Sequence, residues 1–136
     1  MEMLVRTILL PYVDEAHARG RECIVVTGPA VPVSGDAVTG LALFLHETTT
    51  NAAKYGALSA PNGCIRVNWT VKETDLHLRW EESGGPLVAE PPKERGFGST
   101  LVKRSVTGQL QGAIEYDWRP EGLTVQVTVP LERLNQ

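Results

Sequence analysis

The chain has 136 residues, enough for one domain that buries its own core. Hydrophobic residues make up 42% and charged residues 21%, and the net charge of −3 carries no block of like charge. That balance argues against a nucleic-acid partner or contact with an anionic membrane. No apolar run approaches the roughly 20 residues of a membrane span. Glu2, Arg6 and Asp14 interrupt any signal-peptide pattern, which points to a cytoplasmic domain. The two cysteines, Cys23 and Cys64, lie in no CxxC spacing and are expected as reduced, small apolar residues on strands.

The spacing of Leu4, Ile8 and Leu9 predicts a short helix over residues 3–12. Pro11 and the polar run 14–21 then lead into a strand over 22–27. Gly28-Pro29 opens a loop, and Ser34 or Asp36 is suited to cap the next helix. That helix carries Val38, Leu41, Leu45, Thr49 and Ala52 as an apolar stripe and ends near Tyr55-Gly56, with Gly56 at the position after the last turn. Two strands follow at 64–72 and 75–82, joined by Glu73-Thr74. Ile65, Val67, Trp69 and Val71 alternate on the first, and Leu76, Leu78 and Trp80 on the second, an antiparallel hairpin. A Gly- and Pro-rich loop runs over 83–95. Residues 97–109 have helical spacing, and strands at 112–118 and 123–131 close the chain. The order α-β-α-β-β-loop-α-β-β predicts an α+β sandwich, a mixed sheet with about three helices on one face and a second face that is polar or otherwise covered.

Three segments carry chemistry. Glu47, Asn51 and Lys54 stand at i, i+4 and i+7, so they share one helix face. An Asn carbonyl suits a hard cation, an ammonium neutralises phosphate, and a carboxylate orients or deprotonates a nucleophile. A solvated Glu/Lys surface face has the same pattern. Trp80-Glu81-Glu82-Ser83-Gly84-Gly85-Pro86 ends a strand. There a carboxylate accepts from an exocyclic amine, while paired glycines let backbone approach a flat ligand. An ordinary Gly-Gly turn reads the same, and the Trp80 ring, alternating with Leu78 and Leu76, is assigned to the core. Gly96-Phe97-Gly98-Ser99-Thr100 opens a helix, where free amides and the dipole favour an anion, although Ser99 also suits simple capping. There is no GxxxxGK[ST] loop and no HExxH or Cys/His cluster. His77 and His17 are assigned to solvent.

In this order and spacing the three segments resemble the N, G1 and G2 boxes of the GHKL (Bergerat) ATP-binding fold of sensor histidine kinases. The match is closer to the HWE subfamily, marked by an N-box histidine, here His46, and a Trp-x-Glu, here Trp80 and Glu82. The resemblance runs from about Leu4 to Pro130. It implies an ATP-binding catalytic domain of a two-component kinase with ATP and Mg²⁺ as cofactors. Asn51 would hold the metal, and Glu47 would act as base or orienter. His46 beside it would orient that carboxylate or pack. Lys54 would contact phosphate, and Tyr55 would lie near the nucleotide. Glu82 would accept from the adenine amine, with Gly84 and Gly85 allowing close approach. Gly96, Phe97, Gly98, Ser99 and Thr100 would meet the phosphates. Residues 87–95 would form the lid, with Lys93 and Arg95 within reach of phosphate or solvated.

Two departures stand out. Thr48-Thr49-Thr50 replaces a more apolar run after the N-box acid, and Thr is a weak helix former. No histidine lies in a helical hairpin, so the phosphoacceptor is expected on a separate dimerisation domain, in cis or in trans, with a response regulator downstream. Two other readings share these residues: a degenerate nucleotide module that serves as a docking surface, and a serine kinase of the anti-sigma type, which the His46 and Trp80/Glu82 signature disfavours.

Overall fold

The computed structural model describes residues 1–18, 24–60, 62–85 and 97–135. Helix α1 (Glu2–Ala18) precedes strand β1 (Ile24–Thr27), helix α2 (Asp36–Tyr55), strands β2 (Cys64–Lys72) and β3 (Asp75–Ser83), helix α3 (Phe97–Arg104), and strands β4 (Ala113–Arg119) and β5 (Gly122–Pro130). The five strands form one sheet in the order β1-β2-β3-β5-β4. Strand β1 lies parallel to β2 and every other pair is antiparallel, so the sheet is mixed, as expected.

Period-2 alternation decides the two faces. Ile65, Val67 and Trp69 of β2, Leu76, Leu78 and Trp80 of β3, and Val125, Val127 and Val129 of β5 are all buried against the helices. Directly paired residues share a face, so the register Val67↔Trp80↔Val125 stacks three strands into one apolar layer. On α2, Leu41, Phe44, Leu45, Thr48, Thr49 and Ala52 close that layer from above. The other face is polar, with Arg66, Arg79 and Gln126 exposed across β2, β3 and β5.

Several expectations need correction. Helix α1 runs through Pro11 to Ala18 instead of stopping at residue 12. A proline forfeits one backbone donor and can bend a helix without ending it. Neither Ser34 nor Asp36 caps α2: Gly35 is its N-cap, with no side-chain hydrogen bond, and the Ser34 hydroxyl instead lies 3.4 Å from Asn135 Oδ1. Val38 and Val71, assigned to apolar stripes, are exposed. The last helix continues as a π turn over Ser105–Gln109. Cys64 is disulfide-bonded, so the expected reduced thiol does not hold. Residues 22 and 23 of the expected first strand lie outside the described residues.

The three threonines of α2 are accommodated by geometry. Thr48 and Thr49 are buried, and the Thr49 hydroxyl donates to the Leu45 carbonyl at 2.6 Å. That bond back along the helix satisfies the hydroxyl in an otherwise apolar layer.

Candidate functional site

The alternation that buries Trp80 also turns Glu82 to the helix side, where it is 8% exposed. The backbone N–H of Ala57, just after α2, donates to Glu82 Oε1 at 3.0 Å. The Trp80 indole N–H donates to Glu82 Oε2 at 2.9 Å. Burial pushes the Glu82 carboxyl above its ordinary value of 4.5, and the Ala57 and Trp80 donors oppose that rise. Each oxygen still keeps a lone pair for a further donor.

Glu82 stands in the wall of a small cavity that opens to solvent. Among the described residues, Asn51, Tyr55, Gly56 and Ala57 line it from the end of α2, and Ser83 and Gly85 from the end of β3. Trp118, Gly122 and Leu123 complete the wall from the β4–β5 hairpin. The glycines here are a matter of room. A Cβ on Gly85 would meet the Ala57 backbone at 2.9 Å. Gly122 has φ +150° and lies so close to the Glu82 carbonyl that a Cβ would overlap it.

The expected site residues divide accordingly. Asn51, Tyr55, Glu82 and Gly85 meet in one cavity. Glu47 is half-buried and His46 and Lys54 are exposed on α2; none of the three lines the cavity. Gly84 has φ +70° and abuts the Asn62 carbonyl, so it shapes the turn without lining the cavity. Phe97, Gly98, Ser99 and Thr100 form the first turn of α3, as expected for a helix start. Gly96 and residues 87–95, with Lys93 and Arg95, lie outside the described residues.

Sequence reasoning missed Ala57, Trp118, Gly122 and Leu123. Trp118 shares the helix-side face of β4 with Tyr116, and their rings stack with centroids 6.4 Å apart at 11°. Its indole Nε1 is buried with no hydrogen-bond partner. Alternation along β4 was a usable signal for Trp118. Nothing local marks Ala57, whose contribution is a backbone amide.

For a divalent cation, the described residues contain no group of three His, Cys, Asp or Glu side chains that could hold one. A lone Asn carbonyl at the cavity suits Mg²⁺, which keeps most of its shell in waters and substrate phosphates. No described helix is long and apolar enough to cross a membrane.

The five-stranded mixed sheet under three helices matches the fold of histidine kinase catalytic domains. The catalytic domain of histidine kinase ThkA superposes with a TM-score of 0.71 over 94% of this chain and 91% of that one, at 16% identity. ThkA in complex with response regulator protein TrrA aligns with a TM-score of 0.73 and covers 42% of that chain. In sequence, the chain is 41% identical over 135 residues to a blue-light-activated histidine kinase of Brucella anthropi, covering 96% of this chain and 26% of that relative. It is 36% identical to blue-light-activated histidine kinase 1 of Erythrobacter litoralis, covering 96% of this chain and 35% of that relative. The chain thus spans about a quarter to a third of the length of the curated relatives it matches. No protein-family model matches it. Fold and sequence relatives bear out the resemblance to histidine kinase ATP-binding domains carried by the three boxes.

Proposed function

We propose that this chain is a catalytic domain that binds Mg·ATP in the cavity between α2, β3 and the β4–β5 hairpin. It passes the γ-phosphoryl group to a histidine on a separate dimerisation domain, in a cytoplasmic two-component system. The observation that carries this reading is Glu82: a buried carboxylate, held by two protein donors, in the wall of a largely apolar cavity. Burying such a group is unfavourable unless it is well bonded, and its remaining lone pairs suit an exocyclic amine.

Asn51 at the cavity edge would hold Mg²⁺, which supplies charge neutralisation at the phosphates. Tyr55 flanks the nucleotide, and Lys54 reaches phosphate from the exposed side of α2. The first turn of α3, Phe97 to Thr100, presents amides to the phosphates. In the transfer, an acceptor imidazole nitrogen attacks the γ-phosphorus, a P–N bond forms, and the bond to the β-phosphate oxygen breaks, releasing ADP. Glu47, half-buried one turn before Asn51, takes the imidazole proton, with His46 beside it as orienter. The protein's part in such a reaction is positioning and electrostatics. The ThkA–TrrA complex supports a response regulator as the onward acceptor.

Calorimetric titration with Mg·ATP tests the reading. Binding is expected, with Asn51→Ala abolishing its Mg dependence; no binding at millimolar nucleotide favours a degenerate docking module instead. Labelling with γ-phosphate-labelled ATP is expected to modify an added histidine-bearing dimerisation domain and not the chain itself. An acid-stable product would indicate a serine kinase.

A further inference from the structure

We infer that Trp80 is a specificity-determining positioning residue: its indole N–H fixes Glu82 as an acceptor-only group, so that the cavity selects a base carrying an exocyclic amine over one carrying a carbonyl at that edge. The inference rests on the nucleotide reading above. Trp80 would otherwise count as core alone, since its ring is fully buried between Val67 and Val125.

The geometry assigns it a second task. Glu82 Oε2 lies 2.9 Å from the Trp80 indole nitrogen, and the bond is buried. Oε1 is held at 3.0 Å by the Ala57 amide. Two N–H donors on two oxygens fix both the torsion and the plane of the carboxylate. Both donors also favour the anion, because an ionised oxygen accepts a stronger hydrogen bond than a neutral carboxyl oxygen. Without them, burial in an apolar wall would favour the neutral acid. A neutral acid can donate as well as accept, so it would tolerate a base carbonyl. The ionised form can only accept, so it pairs with an amine and leaves a carbonyl facing like charge. Of the two donors, only the indole is a side chain that substitution can remove.

Among the described residues, the other charged or titratable groups around Glu82 are Tyr55 at the end of α2, Arg66 on β2, Arg79 and Glu81 on β3, and Arg119 and Glu121 at the β4–β5 hairpin, and of these Tyr55 lines the cavity. Arg79 pairs with Glu81 at 2.7 Å on the polar face of the sheet.

The test compares ADP with inosine diphosphate, in which a carbonyl replaces the amine, by calorimetry from pH 5 to 8. The proteins are wild type, Trp80→Phe and, as a control, Trp69→Phe. Trp69 is equally buried, but its indole bonds the Pro29 carbonyl, away from Glu82. Wild type is expected to prefer ADP by at least about ten-fold, the scale of one bond to a charged group. In Trp80→Phe that preference should fall several-fold, and the acid loss of ADP affinity should move to higher pH. Trp69→Phe should keep the wild-type ratio and pH profile even if its stability falls. A folded Trp80→Phe with the wild-type ratio and acid limb overturns the inference. Should Trp80→Phe not fold, the wild-type indole NMR signals decide. The Trp80 N–H should titrate together with the acid limb and stop titrating in Glu82→Gln, and a Trp80 signal flat across that range overturns the inference. Wild type that binds neither nucleotide overturns the nucleotide reading itself, and the inference with it.

Discussion

A Cβ on residue 56 would lie 2.1 Å from Glu82 Oε1, so the last backbone step of α2 and the buried carboxylate of β3 occupy adjoining space. Gly56 has φ −115° and ψ −145°, so it is not the left-handed helix stop that its position suggested. What a side chain would lack there is room beside Glu82. Gly56→Ala should therefore displace the Glu82 carboxylate while leaving the helix intact. Nucleotide affinity should fall by at least about ten-fold, as expected for losing one bond to a charged group. Helix content by circular dichroism should be unchanged. Titration of ADP into the variant checks the first and far-ultraviolet spectra the second.

Glu82 also gives stability a defined pH dependence. Its folded-state pKa is raised above the ordinary 4.5, chiefly by burial. Between 4.5 and the raised value the folded protein binds more protons than the unfolded chain, so this group's contribution to stability falls as pH rises. Glu82→Gln cannot titrate and serves as the reference. The unfolding free energy of wild type minus that of Glu82→Gln should decline through that window and level off above it. Urea unfolding at a series of pH values measures the difference. A difference that rises with pH would contradict the burial argument.

Two tryptophans allow a matched comparison. The Trp69 indole donates to the Pro29 carbonyl at 2.8 Å, whereas the Trp118 indole nitrogen is buried without a partner. Trp69→Phe removes a part-buried hydrogen bond and should cost about 0.5–1.5 kcal/mol beyond the lost ring contacts. Trp118→Phe breaks no hydrogen bond and should be the milder change. Chemical denaturation of both variants under one condition ranks them.

Gly108 stands in the π turn after α3, exposed, and a Cβ there would meet nothing within 4 Å. Its cost is entropic, through the freedom it gives the unfolded chain. Gly108→Ala should stabilise the domain by about 0.5–1 kcal/mol. A thermal melt that rises, with ADP affinity unchanged, is the expected pair of results.

Gly122 should behave in the opposite way. Its φ of +150° and its contact with the Glu82 carbonyl leave no place for a side chain. Gly122→Ala should destabilise the domain by about 1–3 kcal/mol through backbone strain, and the melting temperature reports it.

Strands β2 and β3 were legible almost to the residue, because Ile65–Val67–Trp69 and Leu76–Leu78–Trp80 alternate without interruption. The core of α2 was legible through Leu41, Leu45, Thr49 and Ala52, although Val38 fell outside the contact layer. Pro11 misled, since a local helix breaker was outweighed by the rest of α1. Ser34 misled for the converse reason. A residue suited to capping met Asn135, 101 positions away, instead. Asn51, Tyr55, Glu82 and Gly85, which line one cavity, fall within segments the sequence singled out, whereas Trp118 and Leu123 belong to a hairpin that it did not.

By itself, then, the sequence determined the element order and the two faces of the sheet, because periods of 2 and 3.6 are set by near neighbours along the chain. Only the tertiary structure decided which distant groups meet around Glu82. The Ala57 amide lies 25 positions away, and the Trp118 wall arrives from the far edge strand of the sheet. Such contacts depend on strand register and on how helix and sheet are spaced. A backbone amide leaves no mark in a residue's identity.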